Sequence, residues 1–222
     1  MGDRRDVDCA GVDGCKGGWV VATRRGVHVE SSIADVVAAE HRVIAIDMPI
    51  GLPTSQARRS ELEARRFLSP RGSTIFPTPP RRCLAATDYR HACELSVSAR
   101  GVGLSKQSWH IMGKVAELDR AVTAADNDRV IEAHPECSFV TMNDGMQLAT
   151  KHCAEGLAMR CELVTAVFGV VPAAVGPAAL DDVLDAYAVL WTAERFANGT
   201  HAVFPAAGEE FDERGLAMRI VR

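Results

Sequence analysis

Val43-Ile44-Ala45-Ile46-Asp47 is an unbroken apolar run that stops on a carboxylate and is followed at once by Met48-Pro49. Consecutive apolar residues without alternation are what a strand buried on both faces requires, and such strands belong to parallel sheets covered by helices. Pro49 cannot continue the pairing, so Asp47 stands at the carboxyl end of its strand. Upstream, Val7 to Asp13 reads as a short apolar strand, Gly14-Cys15-Lys16-Gly17-Gly18 as a turn, and Trp19 to Thr23 as a second strand. Arg24-Arg25-Gly26 turns again into Val27-His28-Val29-Glu30, which alternates like a solvent-facing third strand. Ser31 or Ser32 caps a helix from Ile33 to His41 that leads into the apolar run.

Downstream of Asp47 the pattern changes. Pro49, Gly51 and Pro53 break the chain, a charged helical stretch runs from Ala57 to Leu68, and a Pro- and Arg-rich loop from Ser69 to Arg82 follows. Helical segments around Asp88 to Arg100 and Lys106 to Ala124 complete a region without strand signals. Arg129-Val130-Ile131-Glu132-Ala133-His134 resumes the strand pattern and Pro135 ends it. Ala154 to Phe168 and Leu180 to Asn198 read as helices, the second with Asp181 or Asp182 as its cap and Gly199 as its stop; Gly215 to Val221 reads as a short final strand. Right-handed crossovers leave few arrangements of these elements. The simplest is one α/β domain over residues 1–222, with a five-stranded mixed sheet ordered 3-2-1-4-5, flanking helices, and a helical insertion over 48–128 between strands four and five.

Composition sets the outer bounds. The chain has 222 residues, 47% of them hydrophobic and 24% charged, and a net charge of −4, which excludes disorder, collagen and coiled coil. No segment offers the roughly 20 apolar residues of a membrane span. The charged N-terminus lacks an apolar signal core, and the seven cysteines are spread without a two-residue metal or redox spacing, so a cytoplasmic chain with reduced thiols is expected. A pI near 6.0 argues against indiscriminate coating of DNA, though it leaves room for a local basic groove.

The chemistry lies at the strand ends. Asp13, Asp47 and Glu132 close or nearly close strands one, four and five, and ligands of open α/β sheets lie outside the carboxyl ends of strands. Asp181, Asp182 and Asp185 on the last helix add acids at helical spacing. Clustered carboxylates repel one another unless a cation sits among them, and hard dications such as Mg²⁺ or Mn²⁺ favour such oxygen ligands. Each acid also has a plainer reading: a lone Asp before Gly14 starts a turn, and Asp181 and Asp182 cap a helix. His134 and Glu136, in Glu132-Ala133-His134-Pro135-Glu136, offer a further ligand or a general base. For phosphate contact the chain offers Arg71, Arg81, Lys106 and Lys151, together with Lys16 in the first turn, and Gln107 and Trp109 add an amide and a stacking surface. Trp109 is as readily a core residue. The glycine-rich Gly11-Val12-Asp13-Gly14-Cys15-Lys16-Gly17-Gly18 matches neither nucleotide-binding fingerprint.

Six stretches taken in order resemble one family: Gly11 to Trp19, Ile46-Asp47-Met48-Pro49-Ile50-Gly51-Leu52-Pro53, Phe76-Pro77-Thr78-Pro79-Pro80-Arg81, Gly103-Leu104-Ser105-Lys106-Gln107-Ser108-Trp109, Glu132 to Phe139, and Asp181-Asp182-Val183-Leu184-Asp185-Ala186. The family is domain of unknown function 429, whose members are predicted nucleases of ribonuclease H-like fold. The resemblance implies that fold and an acidic metal site at Asp13, Asp47, Glu132 or Glu136, and the helix carrying Asp182 and Asp185. A metal-dependent nuclease acting on DNA or RNA, with two cations clamping the scissile phosphate, is the leading expectation. An actin-like phosphotransferase and a non-catalytic nucleic-acid-binding or scaffold protein with a degenerate site are the alternatives.

Overall fold

The computed structural model describes residues 8–173 and 175–222; Val7, where the sequence reading begins the first strand, lies outside the described residues. Five strands form one mixed sheet in the order β3-β2-β1-β4-β5: β1 (Cys9–Cys15), β2 (Gly18–Thr23), β3 (Gly26–Glu30), β4 (Val43–Ile46) and β5 (Val130–Glu132). This is the expected α/β sheet and order. β1 and β2, and β2 and β3, pair antiparallel, whereas β1–β4 and β4–β5 are parallel. All four residues of β4 are buried, as an uninterrupted apolar run in the interior of a sheet demands.

The described helices are α1 (Ile33–Ala38), α2 (Arg59–Phe67), α3 (Tyr89–Arg100), α4 (Lys106–Ala121), α5 (Pro135–Met142), α6 (Ala154–Phe168) and α7 (Leu180–Ala197). A separate two-stranded sheet joins β6 (Val203–Phe204) to β7 (Ile220–Val221). The final strand is thus shorter than Gly215 to Val221. Pro135 does more than end β5, because it occupies the first turn of α5, a helix the sequence reading passed over. There the missing N–H of proline is harmless and its fixed φ is already helical. The N-cap of α7 is Ala179 rather than Asp181 or Asp182.

The chain forms two compact units. The first comprises residues 1–47, 128–202 and 221–222, and the second 48–127 and 203–220. The expected insertion over 48–128 therefore nearly coincides with the main segment of the second unit, which also takes in 203–220.

In the first unit α7 packs along β1, β4 and β2. Gly11 makes that approach possible: a Cβ there would lie 2.1 Å from the Ala186 carbonyl oxygen and 2.2 Å from the Leu190 nitrogen. The helix contributes a continuous buried stretch from Val183 to Leu190, with Asp185 inside it. On α1, Ile33, Val36 and Val37 are buried, and the Ser32 side chain accepts from the Ala34 N–H at the N-cap.

In the second unit Cys83, Ala92, Leu104 and Met112 form a small core, with Leu84, Cys93, Leu95 and Trp109 packed against it. Two arginines knit its loops. Buried Arg58 donates to Glu61 at 3.0 Å and to the Ile50 carbonyl at 2.9 Å, while Glu61 Oε1 accepts from the Thr78 N–H at 3.0 Å. Arg81 bridges Asp119 on α4, at 2.8 Å, and Asp212 in the returning segment. Asp212 in turn accepts from the backbone N–H groups of Leu52, Arg214 and Leu216. One side chain thereby fixes 203–220 to the loop after β4.

Candidate active site

The register of the parallel strands aligns the acids. Val12 lies opposite Ile46, and the Asp47 N–H continues the ladder to the Val12 carbonyl at 2.8 Å, so Asp13 and Asp47 follow side by side where the parallel pairing of β1 and β4 stops. β1 itself runs on to Cys15, paired with β2, so Asp13 does not close its strand as expected. Gly11 and Ala45 also pair, and strand alternation puts Asp13 and Asp47 on the same face as these two. That is the face on which α7 lies over Gly11. Asp185, next to Ala186, is thereby delivered to the same corner. Glu132 pairs with Ile46, one position earlier, and is buried; the same alternation places it on the opposite face from Asp13 and Asp47.

Asp13 and Asp185 are buried and Asp47 is half-buried. Burial, together with repulsion from Asp47, Asp185 and Asp182, pushes the Asp13 carboxyl well above its ordinary value, against a hydrogen bond from the Gly14 N–H at 2.7 Å. Asp47 is pushed up to about 7, chiefly by burial, with Lys151 pulling it down and Glu132 and Glu136 pushing it further up. Asp185 is raised to about 6 by burial, opposed by the Lys151 charge and hydrogen bond and assisted by Asp47 and Glu136. The carboxylates thus act on one another through a poorly solvated corner.

Lys151 is the cation of this corner. Its Nζ lies 2.8 Å from Asp185 Oδ2 and 3.8 Å from Asp181 Oδ2. Burial works against the ammonium, but Asp185, Asp181 and Asp13 outweigh it and hold its proton above the usual lysine range. The loop carrying Lys151 is itself anchored. Buried Arg160 on α6 donates from Nη1 to the carbonyls of Ala149 (2.9 Å) and Gly156 (2.7 Å). Its Nη2 reaches both oxygens of Glu136, at 2.7 and 2.8 Å. Glu136 is therefore committed to an ion pair that holds the lysine loop.

His134 caps α5: its Nδ1 accepts from the Glu136 N–H at 3.2 Å. A neutral imidazole so engaged carries its proton on Nε2. Asp182 Oδ2 accepts from the Ala179 N–H at 3.0 Å, so it serves the start of α7 while its charge still acts on Asp13. The structure thus brings together Asp13, Asp47 and Asp185, with Asp182, Glu132 and Glu136 near enough to influence them.

The expected phosphate contacts are distributed differently. Lys16 is exposed in the β1–β2 turn, whereas Lys151 is taken up by Asp185. In the second unit Lys106 and Gln107 are exposed at the start of α4, Arg71 precedes the short helical turn at Gly72–Thr74, and Arg81 is engaged by Asp119 and Asp212. Trp109 packs on the small core, its ring 6.0 Å from that of Tyr89, which is the plainer of its two readings.

Hard oxygen donors, buried and mutually repelling, match the chemistry of Mg²⁺ or Mn²⁺. As they stand, no three His, Cys, Asp or Glu side chains among the described residues are grouped closely enough to hold an ion. The fit is one of donor type and charge.

Among known families, the model described as protein of unknown function (DUF429) matches residues 11–210. No curated protein and no solved structure matches the chain.

Proposed function

The chain belongs to the DUF429 family of proteins of unknown function, and on that premise we propose that it is a divalent-metal-dependent nuclease of ribonuclease H-like type, hydrolysing phosphodiester bonds in nucleic acid. One observation carries the reading: Asp13 and Asp47 lie side by side where the parallel pairing of β1 and β4 stops, on the face covered by α7, and Asp185 joins them there, each raised by burial. A merely structural set of acids would be placed to avoid such repulsion.

Asp13, Asp47 and Asp185 would hold Mg²⁺ or Mn²⁺, which when bound supplies Lewis-acid polarisation of a phosphate oxygen and a water that ionises near neutral pH. The remaining work falls to the chain. Exposed Lys16, three residues beyond Asp13, offers its ammonium to a phosphate oxygen. His134 orients α5 and presents Nε2–H as a donor, and the Glu136–Arg160 pair keeps the loop of Lys151 in place.

The test uses the full chain with single-stranded and duplex DNA and RNA, in Mg²⁺, Mn²⁺ or chelator. Cleavage is expected only with metal and is lost in Asp13→Asn and Asp47→Asn. In melts of the same proteins, Mn²⁺ should raise the Tm of the wild type and not that of Asp47→Asn. Cleavage that survives both chelator and substitution, or a Mn²⁺ shift unchanged in Asp47→Asn, rejects the proposal.

A further inference from the structure

Three carboxylates, from β1, from the residue after β4 and from the first turns of α7, act on one another, and one ammonium is already bonded to the third. Lys151 Nζ is within hydrogen-bonding distance of Asp185 Oδ2, at 2.8 Å, and its charge also acts on Asp13 and Asp47. Its position is held on purpose rather than by chance. Arg160 fastens the Ala149 carbonyl two residues before it, and a Cβ at Gly156 would lie 2.1 Å from the Thr150 carbonyl oxygen, so the loop sits directly on the start of α6.

Charge arithmetic then limits what else the corner takes. Asp13, Asp47 and Asp185 carry three negative charges when ionised. Lys151 supplies one positive charge, and the two that remain are those of a single dication. Asp182 accepts from the Ala179 N–H at the helix start, and Asp181, nearly half exposed at 46% of its side chain, lies 3.8 Å from the Lys151 ammonium.

We infer that Lys151 is a tethered cation occupying the place of one of the two metal ions expected at such a site, so that the protein works with one dication and this lysine. The inference rests on the nuclease reading for the identity of the site. Lys151 is a positioning residue in this scheme: it offsets charge and fixes Asp185 through Oδ2, leaving the other Asp185 oxygen to join Asp13 and Asp47 at the metal.

The test is metal stoichiometry, read without substrate. Calorimetric titration of the full chain with Mn²⁺ alone should give one ion per chain for the wild type and for Lys151→Arg, which keeps the charge, and two for Lys151→Met. The electron paramagnetic resonance spectrum should be that of an isolated Mn²⁺ in the first two and of a coupled pair, roughly 4 Å apart, in the third. Before metal is added, Lys151→Met should melt below the wild type, and Asp185→Asn added to it should restore most of the loss. Two ions in the wild type overturn the inference and leave the nuclease reading standing, even if Lys151→Met fails to fold. A folded Lys151→Met that still binds one ion with unchanged affinity overturns it as well. No Mn²⁺ bound by any of these proteins removes the metal reading and this inference together.

Discussion

Burial pushes the Asp47 carboxyl up to about 7 and that of Asp185 to about 6, and this reverses the usual contribution of a carboxylate to stability. Between the ordinary aspartate range and these raised values the folded chain binds more protons than the unfolded one, so stability falls as pH rises. The metal-free protein is therefore expected to melt several degrees lower at pH 8 than at pH 5, and Asp47→Asn to flatten that dependence. Melts across the interval in chelator check it; a Tm that rises with pH would show that these acids are stabilised as anions. Glu136 is ion-paired with Arg160, whose side chain is 1% exposed. Glu136→Gln leaves that guanidinium without its counter-charge, and a loss of about 3 kcal/mol is expected. Protease sensitivity should appear at Thr150 to Cys153, whose anchoring passes through Arg160 to the Ala149 carbonyl. Unchanged stability in Glu136→Gln would free the residue for a direct role in the site.

The helix over the sheet gives the clearest case at the scale of an element. Since α7 rests on the bare Cα of Gly11, Gly11→Ala must lift the helix or shift β1. The expected cost is at least about 2 kcal/mol. Because Asp185 rides on α7 and Asp13 on β1, the same substitution should weaken Mn²⁺ binding although Gly11 touches no ligand. A Gly11→Ala protein with native melting and native affinity would mean that α7 has slack at this point. The same elements show what a sequence can disclose. The uniform apolarity of Val43 to Ile46 places β4 inside the sheet, and the parallel pairing that aligns Asp13 with Asp47 follows from it. α5 also left a mark in His134-Pro135, a side chain able to cap followed by a proline in the first helical turn, but a proline after a strand reads just as naturally as an ending. The partnerships of Lys151 with Asp185 and of Arg160 with Glu136 left none. They join residues 34 and 24 positions apart through side-chain reach, and no periodicity encodes such a pair.

For the molecule as a whole, the two units respond to pH from opposite ends. Burial pushes Asp212 up, but the N–H groups of Leu52, Leu216 and Arg214 and the Arg81 guanidinium outweigh it and hold the carboxyl below its usual range. Its stabilising contribution is present above the ordinary aspartate range and is lost as pH falls through the lowered value. Hydrogen exchange of the metal-free chain, corrected for intrinsic rates, should therefore loosen the second unit first on acidification and the first unit first toward pH 8. Asp212→Asn should abolish the acid limb alone. Loosening of both units in parallel at each extreme would mean that they unfold as one. The chain passes between the units four times, after residues 47, 127, 202 and 220. The last crossing comes just before Val221 and Arg222, which pair with Ala133 and Ala202. In biosynthesis this ordering matters. A ribosome that has emitted the first two hundred residues has completed neither unit, since one still awaits 203–220 and the other the two residues after it. Both must wait for residues 203–222 to emerge, and the acidic corner, though all its carboxylates are made by residue 185, is closed only when the unit that carries it regains Val221 and Arg222.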